Sequence, residues 1–118
     1  MIYQFFVGID IAKSSLDISV LHQDQLLQHQ KIDNTAPAIR AWFRQLKKMY
    51  KAGGKNTLIC MEHMGTYLTF LVDILQKQKA QLWLESPLVI KRSLGLLRGK
   101  SDQADSLRIA HFAFLNRK

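Results

Sequence analysis

The sequence is poor in cysteine and in acidic side chains, and it has no long apolar run. Its single cysteine, Cys60, excludes an internal disulfide and a zinc site built from cysteine ligands. Because Cys60 lies in an apolar segment, we expect a small core residue in a reducing compartment. No apolar run approaches the ~20 residues that span a membrane, and the N-terminus lacks the pattern of a secretion signal.

Basic residues outnumber the acidic ones. The chain has 17 lysines and arginines and nine aspartates and glutamates, which gives a net charge of +8. This balance favours a polyanionic partner, with nucleic acid first and an anionic membrane surface second. The length of 118 residues predicts one domain with one modest core, and an apolar fraction of 47% is typical of globular proteins.

The first third of the chain predicts three consecutive strands. They cover residues 1–11, 15–21 and 26–32, and residues 22–25 predict a polar hairpin turn between the last two. The link between the first two strands is equally short. Consecutive strands with short links predict an antiparallel meander.

The rest of the chain predicts helices that alternate with strands. A cap at Asn34 or Thr35, with Pro37 in the first turn, predicts a helix that ends at Gly53 and Gly54. Strands at residues 57–61 and 80–84 flank a second helix, which predicts a right-handed parallel crossover. The residues that mark the later helices are Tyr67, Phe70, Leu71, Ile74 and Leu75 in the second, Ser86, Pro87, Ile90, Leu94 and Leu97 in the third, and 102–114 with Ser101 as cap in the last.

Four acidic residues lie where metal-dependent chemistry needs them. Asp10 ends the first strand, Glu62 ends the fourth, and Asp102 and Asp105 lie three residues apart on one face of the last helix. That face continues into apolar positions, so we expect both aspartates to point towards the rim of the core. Carboxylates brought together from separate segments repel one another unless a cation joins them. Since magnesium and manganese prefer oxygen ligands, the pattern predicts a Mg²⁺ site in which Mn²⁺ can substitute.

Three of these acids also have a simpler interpretation. Asp10 can be solvated or cap a turn, and Asp102 and Asp105 can serve helix-start electrostatics, worth about 0.3–1 kcal/mol each. Glu62 resists this interpretation, because a glutamate directly after four apolar residues is a costly end for a strand. Two divalent ions ~4 Å apart would stabilise both the attacking and the leaving oxygen of a phosphoryl displacement.

Basic residues surround the predicted acidic site and are candidates for contacts with a nucleic-acid backbone. These candidates are Lys13, Arg92, Arg98, Lys100 and Arg108. Near the end of the first helix, Lys47, Lys48 and Lys51 form either a DNA-facing patch or a solvated helix face, and we favour the solvated face.

The histidines and Asp17 receive local interpretations. His63, next to Glu62, is either a metal or phosphate contact or an ordinary loop residue. We expect His22 and His29 to be exposed on the hairpin and Asp17 to pair locally. His111 is expected to be structural. No phosphate-binding loop of the Walker type and no GxGxxG pattern is present.

Three motifs follow one another at plausible spacing. They are GIDIAK at residues 8–13 with LD at 16–17, MEHMGTY at 61–67, and RGKSDQAD at 98–105 with IA at 109–110. Together they resemble the N-terminal domain of DEDD-type insertion-sequence transposases, whose relatives include bridge-RNA-guided recombinases. The resemblance covers nearly the whole chain.

The four acidic positions of that family fall on Asp10, Glu62, Asp102 and Asp105. The sequence departs from the family pattern at two positions nearby, which are Ser101, where threonine is expected, and Ser106, where alanine is expected. Neither departure removes a carboxylate.

The resemblance implies an α/β fold of the ribonuclease H-like, RuvC-like group, a mixed five-stranded sheet flanked by helices. It implies magnesium-dependent DNA strand cleavage and exchange during transposition, in the bacterial cytoplasm with the nucleoid. It also implies a separate C-terminal domain with a serine nucleophile, absent from residues 1–118, so that the fragment alone is inactive. A homo-oligomer is expected, a guide RNA is allowed, and no membrane is involved.

Three other functions remain open. A stand-alone Holliday-junction-type nuclease would keep the fold, and a nucleic-acid-binding module with a vestigial site would fit the charge equally well. An actin-like sugar kinase also starts with a hydrophobic strand and a Gly-x-Asp, but its glycine-threonine turn does not follow Asp10 here.

Overall fold

A computed structural model describes residues 3–63, 65–93 and 102–117, with the backbone alone at residues 93 and 102–104. The fold is a five-stranded sheet with helices on both faces. The strands are β1 (Phe5–Ile11), β2 (Ser15–His22), β3 (Gln25–Asp33), β4 (Thr57–Glu62) and β5 (Gln81–Glu85). The helices are α1 (Ala36–Tyr50), α2 (Leu68–Lys77), α3 (Pro87–Ser93) and α4 (Asp102–Asn116), and a short 3-10 turn covers Gly54–Asn56.

The sheet is mixed, with the strand order β3-β2-β1-β4-β5. The first three strands form an antiparallel meander, whereas β1, β4 and β5 run parallel to one another. The hairpin before β3 closes tightly because Gln23 adopts a positive φ of 58°. These pairings confirm the predicted fold class, and the carboxyl ends of the three parallel strands share one edge of the sheet.

One face of the sheet packs against α1 and α2. Alternate residues of β1 point to this face, and Phe5, Val7 and Ile9 join a core that includes Phe43 and Leu71. Burial of large apolar side chains on this face is the main stabilising contribution, at about 25 cal/mol per Å² of apolar surface.

The boundaries of α1 differ from the prediction at one end only. Thr35 is the N-cap, and its hydroxyl oxygen accepts a hydrogen bond from the Ala38 N–H at 3.3 Å. The helix ends at Tyr50, before the predicted Gly53 and Gly54. Lys51 terminates it by adopting a left-handed φ of 55°, so the stop does not depend on glycine.

The opposite face of the sheet packs against α4, with a contribution from α3. Phe6, Leu58 and Cys60 from the strands join Ile109 and Phe112 from α4 in a second, smaller core. The second helix, α2, starts at Leu68 and leaves Phe70 exposed, although periodicity placed Phe70 on its apolar side.

Several sequence predictions fall outside the described residues. They are the start of the first strand at residues 1–2, the helical positions Leu94 and Leu97, and the cap at Ser101. Of the helices that the structure describes, none is both long and apolar enough to span a bilayer.

Candidate functional site

Gly8 brings α4 against the sheet. A methyl group at Gly8 would lie 2.2 Å from the carbonyl oxygen of Ser106 and 2.4 Å from the backbone nitrogen of Ala110. Only a residue without a side chain permits this approach of helix and strand. Because side chains alternate along a strand, Asp10 lies on the same face of β1 as Gly8. The approach therefore brings the first half of α4 towards Asp10.

Asp10 and Glu62 line one cavity at the carboxyl ends of β1 and β4. The cavity has a volume of about 100 Å³, and Ile9, Ile11, Glu62, Gly65 and Tyr67 line it together with Asp10. Both acids are partly buried, in contrast to the exposed His63 that follows Glu62. Glu62 lies on the same face of β4 as Cys60, which packs against α4. The two strand-end carboxyl groups thus share one recess next to the helix.

The electrostatic environment of Glu62 links it to α4. Burial raises the pKa of the Glu62 carboxyl above 4.5, the charge of Arg108 lowers it, and the charge of Asp105 raises it again. The Asp105 side chain is 33% exposed, and its Oδ1 lies 2.7 Å from the Arg108 guanidinium. Since α4 supplies both charges, Asp105 lies within electrostatic range of Glu62, with Arg108 as a partial counter-charge.

A second group of polar residues flanks this site on the neighbouring strands. Asp17, opposite Asp10 in the β1–β2 register, is 4% exposed, and its carboxylate lies 3.4 Å from His29 Nε2 and 3.9 Å from Lys31 Nζ. The predicted local pairing of Asp17 is therefore present. The prediction that His29 is exposed was wrong, because strand pairing places it beside this carboxylate, with its side chain 20% exposed.

A buried hydroxyl pair adds a polar link between the sheet and α4. Ser19 lies opposite Gly8 on β2, and its Oγ is 2.7 Å from Oγ of Ser106 on α4. Both serines are fully buried. Ser106 is a position at which the sequence departs from the family pattern, and its hydroxyl here has a partner inside the fold.

The other predicted site residues are placed as follows. Asp102 is the first residue of α4, on the same helix as Asp105, but its side chain is not among the described ones. Lys13, in the turn after β1, and Arg92, on α3, are exposed. Arg98 and Lys100 lie outside the described residues. His22 is exposed and stacks on Phe5, and His111 is partly buried on α4.

Among the described side chains, no three histidine, cysteine, aspartate or glutamate residues are close enough together to hold a metal ion. Asp10 and Glu62, which line one recess, can supply only part of the ligands of a metal ion. Mg²⁺ keeps several waters and is commonly held by one or two carboxylates together with substrate phosphates. Asp10 and Glu62, two carboxyl groups at one recess with the pKa of Glu62 raised, therefore fit a hydrated divalent cation.

Sequence reasoning missed two contributors to the site. The sequence places Gly8 in the first strand and in the GIDIAK motif without assigning it a role at the site, although a glycine inside a strand is a recognised sign of close backbone approach. Glu85 ends β5 opposite Glu62, and its carboxylate accepts a hydrogen bond from the Ser86 N–H at 3.0 Å. Glu85 directly follows apolar strand residues, as Glu62 does, and this position in the sequence could have identified it.

Comparison with known proteins places this geometry in context. A transposase family of the DEDD, IS110 type matches residues 7–118. The RuvC structure from Thermus thermophilus superposes with a TM-score of 0.67 at 12% sequence identity, covering 96% of this chain and 97% of RuvC. That similarity concerns the fold, which is RuvC-like and belongs to the ribonuclease H-like group. A search of curated protein sequences returned no significant match.

Proposed function

The chain belongs to the IS110-type family of DEDD transposases, and from that premise we propose that it is an acidic catalytic domain for DNA strand cleavage and exchange. We propose Asp10, Glu62, Asp102 and Asp105 as the residues that hold Mg²⁺, with Mn²⁺ able to replace it. The observation that carries the proposal is the shared recess of Asp10 and Glu62, next to the helix that supplies Asp105.

The raised pKa of Glu62 supports a cation at this position. Its carboxyl group is destabilised as an anion by burial and by the Asp105 charge, and Arg108 offsets only part of this effect. A divalent cation between the carboxylates removes the same penalty, since an opposite charge within a few ångströms favours the ionised form. When bound, the metal supplies electrostatic stabilisation of the charge that develops on phosphoryl oxygens.

The residues of the chain itself have separate tasks in this proposal. Asp10 and Glu62 lie at the carboxyl ends of β1 and β4, and the contact at Gly8 sets the distance between the sheet and α4. Arg108 holds the Asp105 carboxylate by a 2.7 Å ion pair, which limits its rotation. Preorganisation of this kind matters because a displacement of 1 Å in an active site can cost ~10²-fold in rate.

DNA is the proposed substrate, and its backbone would meet the basic side chains near the recess. Lys13 and Arg92 are exposed and available for phosphate contacts. Arg98 and Lys100 belong to the proposed set from the sequence alone, and Arg108, its fifth member, pairs with Asp105. In a complete transposase, we further propose a serine-bearing C-terminal domain that joins this site, assembly as a homo-oligomer, and target choice that a guide RNA can direct.

The metal site is tested by thermal unfolding of the chain with and without Mn²⁺. A ligand at 100 times its dissociation constant stabilises the folded state by ~2.7 kcal/mol, so the melting temperature should rise with Mn²⁺. Asp10→Asn should abolish this rise. Asp73→Asn is the matched control, because Asp73 lies on α2, is exposed and pairs only with Lys77 in the described contacts. An unchanged rise in the Asp10 variant would refute the site.

The reaction is tested in the full-length transposase. Asp10→Asn and Asp105→Asn should each abolish strand exchange while leaving the circular dichroism spectrum of the protein unchanged. Normal recombination by the Asp10 variant would overturn the proposal. A second assay distinguishes the proposed transposase domain from a stand-alone junction nuclease. The 118-residue chain is incubated with branched DNA and Mg²⁺, and a stand-alone nuclease would cleave this DNA without any further domain.

A non-catalytic nucleic-acid-binding module is the second candidate, and the Asp105–Arg108 pair favours it. An aspartate already neutralised at 2.7 Å by arginine has less need of a metal. In that case Mn²⁺ would leave the melting temperature unchanged, and substitution of Asp10 or Asp105 would not affect DNA binding.

A further inference from the structure

A concentration of exposed positive charge in a concave surface lies at the other end of the sheet. A groove of about 670 Å³ forms where the end of α1, the 52–55 loop and the 78–81 segment meet. We name it the lysine groove after four of its lining residues, Lys47, Lys51, Lys55 and Lys79. All four are exposed, and none forms an ion pair with any residue that the structure describes.

The lysine groove is remote from the acidic recess. It lies before the first residues of β4 and β5, whereas the recess lies beyond the last residues of β1 and β4. At about 3.3 Å per residue, the six residues Thr57–Glu62 alone separate the two by roughly 16 Å. A ligand in this groove therefore does not belong to the carboxylate site.

Helix electrostatics explain only part of this charge. Lys47 and Lys51 lie at the end of α1 and Lys79 follows α2, where cations suit the negative end of a helix. Each helix end carries about half a negative charge, so two ends contribute about −1 against four lysines. Lys55, in the 3-10 turn, is at neither end. An excess of about three positive charges remains for an external anion.

Gly53 and Phe43 border the Lys47 side chain at the wall of the groove. A methyl group at Gly53 would lie 2.9 Å from Cγ of Lys47, so this glycine makes room for the lysine stem. The Lys47 ammonium lies 4.9 Å from the centre of the Phe43 ring, within the range of a cation–π contact. At Gly54 a methyl group would meet nothing within 4 Å, so the loop leaves open space beside the lysines.

The chemistry of the lining selects the class of ligand. The remaining lining residues are Ala52, Gly53, Gly54, Gln78 and Gln81, with no aromatic or large apolar side chain among them. Protein partners are usually anchored by such side chains, and bases are read by stacking on aromatic rings. Lysines act on phosphates as point charges without sequence preference. We infer that the lysine groove binds the phosphodiester backbone of a nucleic acid at a site separate from the acidic recess. For Lys47 and Lys51 this inference replaces the solvated helix face that the sequence favoured.

The salt dependence of binding tests this inference. Binding of a fluorescent DNA duplex and of a single-stranded RNA to the chain is measured at several salt concentrations without divalent metal. In a plot of the logarithm of the binding constant against the logarithm of the salt concentration, each phosphate contact contributes about 0.9 to the magnitude of the slope for duplex DNA and about 0.7 for a single strand. Lys55→Gln with Lys79→Gln should therefore reduce the slope by about 1.8 for duplex or about 1.4 for RNA. If the salt slope falls with only one of the two nucleic acids, that nucleic acid is the ligand. If it falls with both, the groove binds the phosphodiester backbone that they share.

A second double variant provides the matched control. Arg40→Gln with Lys48→Gln removes the same charge from exposed α1 residues outside the groove, neither of which forms an ion pair with any residue that the structure describes. This control should change the slope by less than half as much. Equal reductions in both variants, or none in the groove variant, would overturn the inference. Both double variants should still be stabilised by Mn²⁺. The test of the lysine groove is therefore independent of the proposed carboxylate site.

Discussion

Gly8→Ala is the substitution that should disturb the fold and the site together. The added methyl group would lie 2.2 Å and 2.4 Å from two backbone atoms of α4, against ordinary contacts of 3.4 Å or more. Backbone atoms cannot rotate away, so α4 must withdraw from the sheet by about 1 Å. Overpacking of a core costs typically ~1–3 kcal/mol, and we expect the upper end of that range or more. With a urea m-value of ~1–3 kcal/mol/M, the unfolding midpoint should fall by roughly 1–3 M.

Gly54→Ala provides the control for this prediction. It adds the same methyl group where nothing lies within 4 Å, although the φ of +49° adds strain. A left-handed conformation costs a non-glycine residue roughly 1–2 kcal/mol. Because α4 carries Asp105, the Gly8 variant should also lose stabilisation by Mn²⁺ while still folded, and the Gly54 variant should keep it. A Gly8 variant as stable as the Gly54 variant would refute the close approach of α4.

Three further predictions concern the buried and charged groups. The pKa of the Cys60 thiol is raised to about 12 by burial first and by the charges of Glu85 and Glu62 second, so it should react with Ellman's reagent at pH 8 only after unfolding. Without metal, Glu62→Gln should stabilise the chain at pH 7, because the raised pKa means that ionisation of Glu62 above pH 4.5 disfavours the folded state. That advantage should disappear below pH 4.5, where folded and unfolded chains are both protonated, and an advantage that persisted at pH 3 would contradict it. Arg108→Gln should raise the pKa of Glu62 further in an NMR titration, whereas a lowered value would show that Arg108 does not act on this carboxyl.

Local patterns predicted most of the sheet, because its first three strands are connected by short turns. Such connections leave few alternatives to an antiparallel meander. The parallel pairing of β4 with β5 followed from the strand–helix–strand order. The end of α1 was misplaced, because Lys51 adopts the left-handed conformation that the sequence assigned to the following glycines. Single-residue backbone choices of this kind depend on tertiary contacts.

The acids proposed for the candidate site can be picked out from the sequence, whereas their packing cannot. Asp10 and Glu62 are recognisable as charges at the ends of apolar strands, and Asp105 by its spacing on a helix. Their proximity depends on Gly8, whose role appears only when α4 lies over the sheet. The exposure of His29 was misjudged for the same reason, because its neighbour Asp17 is brought to it by strand register rather than by sequence distance.

The proposed metal site depends on carboxyl groups of β1, β4 and α4 sharing one cation. A crystal of the chain soaked in Mn²⁺ tests this directly through the anomalous scattering of manganese. We predict a peak in the recess lined by Asp10 and Glu62, with carboxylate oxygens of Asp10 among its ligands. Manganese bound only elsewhere on the chain, with that recess empty, would contradict the account.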